Sequence, residues 1–199
     1  MNQITPELFR KYRTPEDYLE ASDEELQRDI HATGFFRQKT RALKGMAAKL
    51  LSDYGGEVPS TMSELVTLPG VARKTANIVQ SNCFPAAFKR DPDAGIAVDT
   101  HVGRVAVRLG LTRHGPKEAV RIERDLMAIT PRRNWTETTH LYIEHGRRTC
   151  DARAPRCEIC PVERLCPSSQ EAHLPDNYKV ATSAKSGPTM DARPLRSRA

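Results

Sequence analysis

Leu65-Val66-Thr67-Leu68-Pro69-Gly70-Val71-Ala72-Arg73-Lys74-Thr75-Ala76 is the stretch that decides the fold. It reads as two helices around a tight glycine-containing turn, the second an apolar run from about Arg73 to Ser81. Small residues let the backbone approach a ligand closely. N–H groups that open the second helix point outward and can hold a phosphate. Such contacts grip a nucleic-acid backbone without reading its bases. An ordinary helical hairpin with Gly70 as C-cap fits the spacing equally well.

Helical signals continue on both sides of the hairpin. Thr14-Pro15 opens a short helix, with proline at the tolerated first position. Ser22 and Glu25 form a capping-box pattern for the next, which Gly34 can stop. Leu43, Met46, Ala47, Leu50 and Tyr54 recur at helical spacing before Gly55-Gly56. Thr61 and Glu64 cap a further short helix. Residues 84–98 read as a long loop, from their proline, glycine and charge. Asp99 can cap a helix to about Leu109. Residues 116–129 are amphipathic, with Ala119, Ile122, Leu126 and Ile129 on one stripe. A last helix runs from Trp135 to Thr149. Strand alternation is scarce, so the fold class is all-α.

The 199 residues permit one large domain or two small ones, and 38% are hydrophobic, enough for a modest core. The formal charge of +6 suits a polyanionic partner. No apolar run reaches membrane-spanning length, and the first residues lack a signal-peptide core. The expected setting is cytoplasmic, where thiols stay reduced. The cysteines therefore need a role other than disulfides. Of the five, Cys83 stands alone, and the other four follow Cys150-x6-Cys157-x2-Cys160-x5-Cys166. Four thiolates so close, with no histidine among them, bind metal; the spacing alone fits an iron–sulfur cluster or a structural zinc.

Three further features carry chemistry. Lys74 falls in the first turn of the second hairpin helix, where the helix dipole disfavours its charged form. A neutral amine is what a Schiff-base nucleophile requires. Taken alone, the residue is better read as a surface lysine that binds phosphate. Asp99, in Val98-Asp99-Thr100-His101, is an N-cap by default; the alternative sets its carboxylate beside Lys74, facing a cationic sugar-like transition state. Gly34-Phe35-Phe36-Arg37-Gln38-Lys39-Thr40-Arg41 is either a phosphate-touching helix start or a solvated charged face.

Together these segments resemble the endonuclease III family. LPGVARKTAN at 68–77 is similar to its hairpin and catalytic-lysine segment, and VDTHVGR at 98–104 to its catalytic-aspartate segment. HGRRTC at 145–150, with the cysteines, is similar to its 4Fe–4S loop. TGFFRQKTRAL at 33–43 resembles a second phosphate-contacting turn. The match runs from about residue 2 to 167, in consistent order.

The resemblance implies a two-lobed helix-hairpin-helix DNA glycosylase fold with a C-terminal 4Fe–4S cluster loop. Residues 1–92 would form the helical-bundle lobe with the hairpin and 93–168 the cluster lobe; the Ser-, Pro-, Ala-, Lys- and Arg-rich composition of 169–199 reads separately as a disordered basic tail. Damaged duplex DNA would lie between the lobes with its target nucleotide flipped out. Lys74 would attack the sugar and Asp99 would assist. Gly70, Val71, Ala72, Arg73, Thr75, Arg37, Lys39 and Arg153 would meet DNA. Cys150, Cys157, Cys160 and Cys166 would hold the cluster. The implied protein is a monomeric, nucleoid-associated base-excision repair enzyme acting on oxidised pyrimidines and abasic sites. Two rivals remain. An adenine-mismatch glycosylase shares the cysteine spacing but lacks a lysine at the nucleophile position. A DNA-binding metalloprotein without catalysis would keep the hairpin, the charge and the cysteines.

Ala72 stands where many members have a second hairpin glycine, and the 84–98 loop looks longer than theirs. Members also carry an additional N-terminal segment. The register is already full at Asn2-Gln3-Ile4, where members tend to have valine at the position of Met1. We therefore expect an internal GTG codon read as the start. The same reading expects apolar side chains between Phe9 and Leu51 to be exposed on one face.

Overall fold

The computed structural model describes residues 4–169, and the expected tail beyond Ser169 lies outside them. Ten α-helices and four short 3-10 turns make up the described residues, with no strand among them. This is the expected all-α class. The chain divides into two compact units between Ala94 and Gly95.

The first unit opens with α1 (Thr5–Lys11), α2 (Pro15–Glu20) and α3 (Asp23–Asp29). Thr14 caps α2 in a reciprocal box with Asp17, behind Pro15 in the first turn. Ser22 accepts the Glu25 N–H as expected, but the reciprocal half of that box is missing. The Glu25 carboxylate pairs with Lys11 instead, at 2.7 Å. A full charge competes better for a carboxylate than a neutral amide does. α3 stops at Asp29, short of Gly34, and a 3-10 turn from His31 to Thr33 covers the gap.

The long α4 (Phe36–Tyr54) ends at Gly55, which adopts the left-handed conformation. Its apolar stripe serves two clusters. Leu43 packs on Tyr12, Ala21, Leu26 and Ile30. Met46 and Tyr54 pack on Leu50, Met62, Leu65, Leu68 and Ala76. Those last residues come from α4, α5 (Met62–Leu65), the turn after it and α6 (Arg73–Cys83). Burying a leucine such as Leu65 contributes about 1.5–3 kcal/mol, so the hairpin is anchored from beneath.

Residues 84–98 are not the expected loop. Pro85–Arg90 form a helix, α7, with proline in its first turn and Phe88 buried. The Asp91 carboxylate then accepts the Met62 N–H at 2.7 Å and the Gln80 side-chain amide at 2.6 Å. Proline and charge, read as loop signals, are here a helix start and an anchor. Ala94, Ile96, Ala97 and Val98 are all buried in the non-helical stretch that follows.

The second unit contains α8 (Thr100–Arg108), α9 (Ala119–Ile129) and α10 (Trp135–Arg148). α9 begins three residues later than its periodicity suggests. The Pro116 carbonyl sits so close to α8 that a Cβ on Gly103 would come within 2.8 Å of it. Gly115 instead enters a turn closed by Glu118. Ile122 and Leu126 are fully buried, whereas Ile129 is 58% exposed and lies off the core. After α10 the described residues contain two 3-10 turns, Cys157–Ile159 and Glu163–Leu165. Ser169, assigned to the tail by its sequence, is buried and bonds Glu163 at 2.8 Å.

Candidate functional site

The hairpin turn rests directly on α4. Gly70 has φ +81°, and a Cβ there would stand 2.9 Å from the Ala42 Cβ. Both the left-handed backbone and the close approach require glycine. Gly45 makes room for Pro69 in the same way. Val71 leaves the turn packed against the core cluster beneath. Ala72 is the N-cap of α6, at φ −90° and ψ 166°, with no side-chain cap bond. That is extended backbone open to any residue, so alanine in place of glycine carries no strain. Ala72 itself has no side chain that can cap the amides that open α6.

Lys74 stands in that first turn, exposed, with no hydrogen bond or ion pair among the described residues. Its neighbours behave differently. The Arg73 guanidinium donates to the Asp93 carbonyl at 2.7 Å, and Thr75 is half-buried.

The second basic turn lies in the same unit. Gly34 and Phe35 both have positive φ, and Phe35 is the one non-glycine residue among those described that does. Its ring is 84% exposed. Sequence reading missed this residue, because no local pattern marks a phenylalanine in left-handed backbone. Arg37 is exposed beside the Phe36 ring. The Lys39 ammonium donates to the Thr33 carbonyl at 2.8 Å and closes the turn. Thr33 and Lys39 line one mostly apolar hollow together with Gly70, Val71, Thr75, Leu8 and Met46. The structure thus brings the hairpin and the basic turn together. Between Phe9 and Leu51, the exposed large apolar residues are Phe9, Leu19 and Phe35.

Asp99 heads α8 in the second unit. One of its oxygens accepts the N–H groups of His101 and Val102, both at 2.8 Å. The capping reading therefore holds. The other oxygen makes no hydrogen bond among the described residues.

Cys150, Cys157, Cys160 and Cys166 are free, half-buried thiols that line one hollow. Burial pushes the Cys160 and Cys166 thiols up. His145, its Nε2 3.9 Å from the Cys160 sulfur, is pushed down by burial. Among the described residues, no three His, Cys, Asp or Glu side chains converge as ligands of a single ion. Four cysteine sulfurs around one hollow are a donor set that suits an iron–sulfur cluster.

Two α8 arginines, to which sequence reading assigned no role, hold this loop. Arg104 donates to the Gly146 and Cys150 carbonyls at 2.8 and 3.2 Å. Arg108 donates to the Asp151 and Ala152 carbonyls at 2.6 and 2.9 Å. Arg153 is exposed on the loop. Its backbone N–H bonds the Asp151 carboxylate, and that bond, with the one from Ala154, holds Asp151 below the usual carboxylate range.

A family model described as HhH-GPD superfamily base excision DNA repair protein matches residues 1–132. The endonuclease III of Bacillus subtilis is 45% identical over 172 residues, covering 86% of this chain and 74% of that protein. The endonuclease III of Synechocystis sp. is 44% identical over 170 residues, covering 85% and 74%. Among solved structures, a trapped endonuclease III–DNA covalent intermediate with an estranged adenine matches with a TM-score of 0.76 at 44% identity. That match covers 83% of this chain and 74% of the other.

Proposed function

The chain belongs to the HhH-GPD superfamily of base excision DNA repair proteins, as an enzyme of the DNA glycosylase/AP lyase kind, and from that premise we propose its chemistry. It removes oxidised pyrimidines from duplex DNA and then cleaves the strand at the abasic site. One chain serves one lesion, in the cytoplasm at the nucleoid.

The observation that carries this reading is Lys74. It is an exposed amine without a partner among the described residues, in the first turn of a helix whose N-cap residue makes no side-chain cap bond. The amides around Gly70, Val71, Ala72, Arg73 and Thr75 take a phosphate beside the lesion. Arg37, Lys39 and Arg153 add phosphate contacts. The flipped nucleotide then presents C1′ to the Lys74 amine. Neutral Nζ forms a bond to C1′, and the bond from C1′ to the base nitrogen breaks. The base leaves with that electron pair and takes up a proton. Asp99, with one carboxylate oxygen uncommitted, stabilises the positive charge developing on the sugar. Loss of a proton from nitrogen and opening of the ring give an imine. Loss of a C2′ proton then expels the 3′ phosphate, and water releases Lys74. The trapped covalent complex of a relative supports a covalent route.

Cys150, Cys157, Cys160 and Cys166 hold a 4Fe–4S cluster, a reading supported by four thiols that all line one hollow. When bound, the cluster braces the loop that carries Arg153, and catalysis needs nothing else from it.

Borohydride trapping on abasic-site duplex tests the proposal. The wild-type protein is expected to become covalently linked, and Lys74→Ala to give no link while still binding DNA through the hairpin amides. Equal trapping by the variant excludes this lysine. Binding with no trapping by the wild type returns the chain to a DNA-binding protein without catalysis.

A further inference from the structure

Arg108 does more than brace the cysteine loop. Its guanidinium reaches the loop's carbonyls, and one of the same N–H groups points at a sulfur. That nitrogen, Nη1, lies 3.2 Å from the Cys150 Sγ. Arg108 is half-buried, at the last turn of α8, and lines the hollow ringed by the four cysteines. The other end of the loop meets the same place. The Cys166 sulfur lies 3.5 Å from the Arg108 backbone carbonyl, and Pro167 packs on Gly110. No other cysteine of the four has a charged side-chain donor on its sulfur among the described residues.

Hydrogen bonds to ligand sulfurs, net charge and solvent exposure set the reduction potential of an iron–sulfur cluster. A cationic N–H donor at a ligand sulfur stabilises the state with the extra electron. It also lowers the basicity of that sulfur, which slows its protonation and release from iron. We propose that Arg108 sets the reduction potential of the cluster and holds its Cys150 corner in place; this rests on the cluster reading above. Arg108 is thus a positioning residue that acts through Cys150, and its effect is separable from its bracing of the loop carbonyls. Gln keeps an N–H donor and loses the charge. Lys keeps the charge and loses the fork that spans sulfur and carbonyls.

The test compares full-length wild type, Arg108→Gln and Arg108→Lys, purified without air. Iron and sulfide are counted, and the visible cluster band is titrated electrochemically in a one-electron couple, the electrode supplying or accepting the electron. Arg108→Gln is expected to shift the ratio of oxidised to reduced cluster about tenfold towards oxidised at a fixed potential. That equals about 59 mV more negative for a one-electron couple. Its cluster is also expected to bleach faster with chelator. Arg108→Lys is expected to restore most of the potential but not the resistance to chelator. Equal potentials in wild type and Arg108→Gln, each with a full complement of iron, would overturn the proposal and leave the cluster reading standing. Zinc, or no iron, in the wild type would overturn both. If Arg108→Gln fails to hold iron, Arg108→Lys decides alone: an unchanged bleaching rate there sinks the proposal.

Discussion

The hairpin and the cysteine loop bear the two most specific signals in this chain, and they are held in opposite ways. The hairpin is made of helix ends. Its caps and turn bonds close within a few residues, as from Glu64 N–H to Thr61 and from Val71 N–H to Leu68. Its long-range support is the apolar cluster of Leu65, Leu68 and Ala76, joined by the Asp91 carboxylate on Met62 and Gln80. The cysteine loop has almost no regular structure. It hangs on arginines more than forty residues away in the chain, Arg104 and Arg108. A backbone-built grip needs only its own sequence and a floor. A side-chain-built loop needs a partner, or a bound group, to stay shut.

The sharpest way to break this contrast is Cys157→Ser. Removing one of four ligands is expected to release most of the iron and cost several kcal/mol of folding free energy, because ligand binding and folding are coupled. Hydrogen exchange should show amides of residues 150–166 losing protection while those of α6 keep theirs. Simultaneous loss in both places would show the two regions to be one cooperative unit and end the distinction.

A paired substitution in the turn comes next. Gly70→Ala meets a left-handed backbone and the Ala42 methyl together. It is expected to cost about 2–3 kcal/mol, from strain of roughly 1–2 kcal/mol and overpacking. Ala72→Gly should move stability by less than about 1 kcal/mol, since Ala72 is already in relaxed extended backbone. Chemical denaturation of both variants reads the difference, and an equal loss would mean that the turn is not held by its contact with α4.

Lys39→Ala sharpens the comparison at the level of binding. It should weaken affinity for all duplex sequences alike and reduce the salt slope by about one. Because Lys39 also bonds the Thr33 carbonyl, an unchanged slope would assign it to holding the turn rather than to phosphate.

The smallest effect lies away from both regions, where Lys11 meets Glu25 and Asp29, each at 2.7 Å. The bond from Lys11 holds Glu25 below the usual carboxylate range. Burial pushes Asp29 up, but the bonds from Lys11 and Tyr12 outweigh it and leave its carboxyl lowered. Both groups have folded pKa values below their unfolded ones, near 4. Their stabilisation is therefore complete above about pH 4–5 and is lost as pH falls through the folded values. Lys11→Met should raise the acid midpoint slightly, read by circular dichroism. The effect is small because exposed pairs are screened by water.

Local signals carried far in this protein. Thr14, Thr61 and Asp99 cap the helices their positions suggest, because a cap is decided by bonds spanning two or three residues. The α4 stripe and the cysteine spacing were legible for the same reason, since periodicity and ligand spacing are properties of contiguous chain. Misreadings arose where a distant residue decided the outcome. Glu25 left its capping box for Lys11, and residues 85–90 became helix because Phe88 found a core and Asp91 found Met62 and Gln80. The sequence alone determined the all-α class, the hairpin and the family resemblance, and it singled out Lys74, Asp99 and the four cysteines as candidates. Only the tertiary structure decided that Gly70 must clear Ala42, that Phe35 stands exposed, and that Arg108 meets the Cys150 sulfur. Those contacts depend on which side chains the packed helices bring within a few ångströms, and no spacing along the chain encodes that distance.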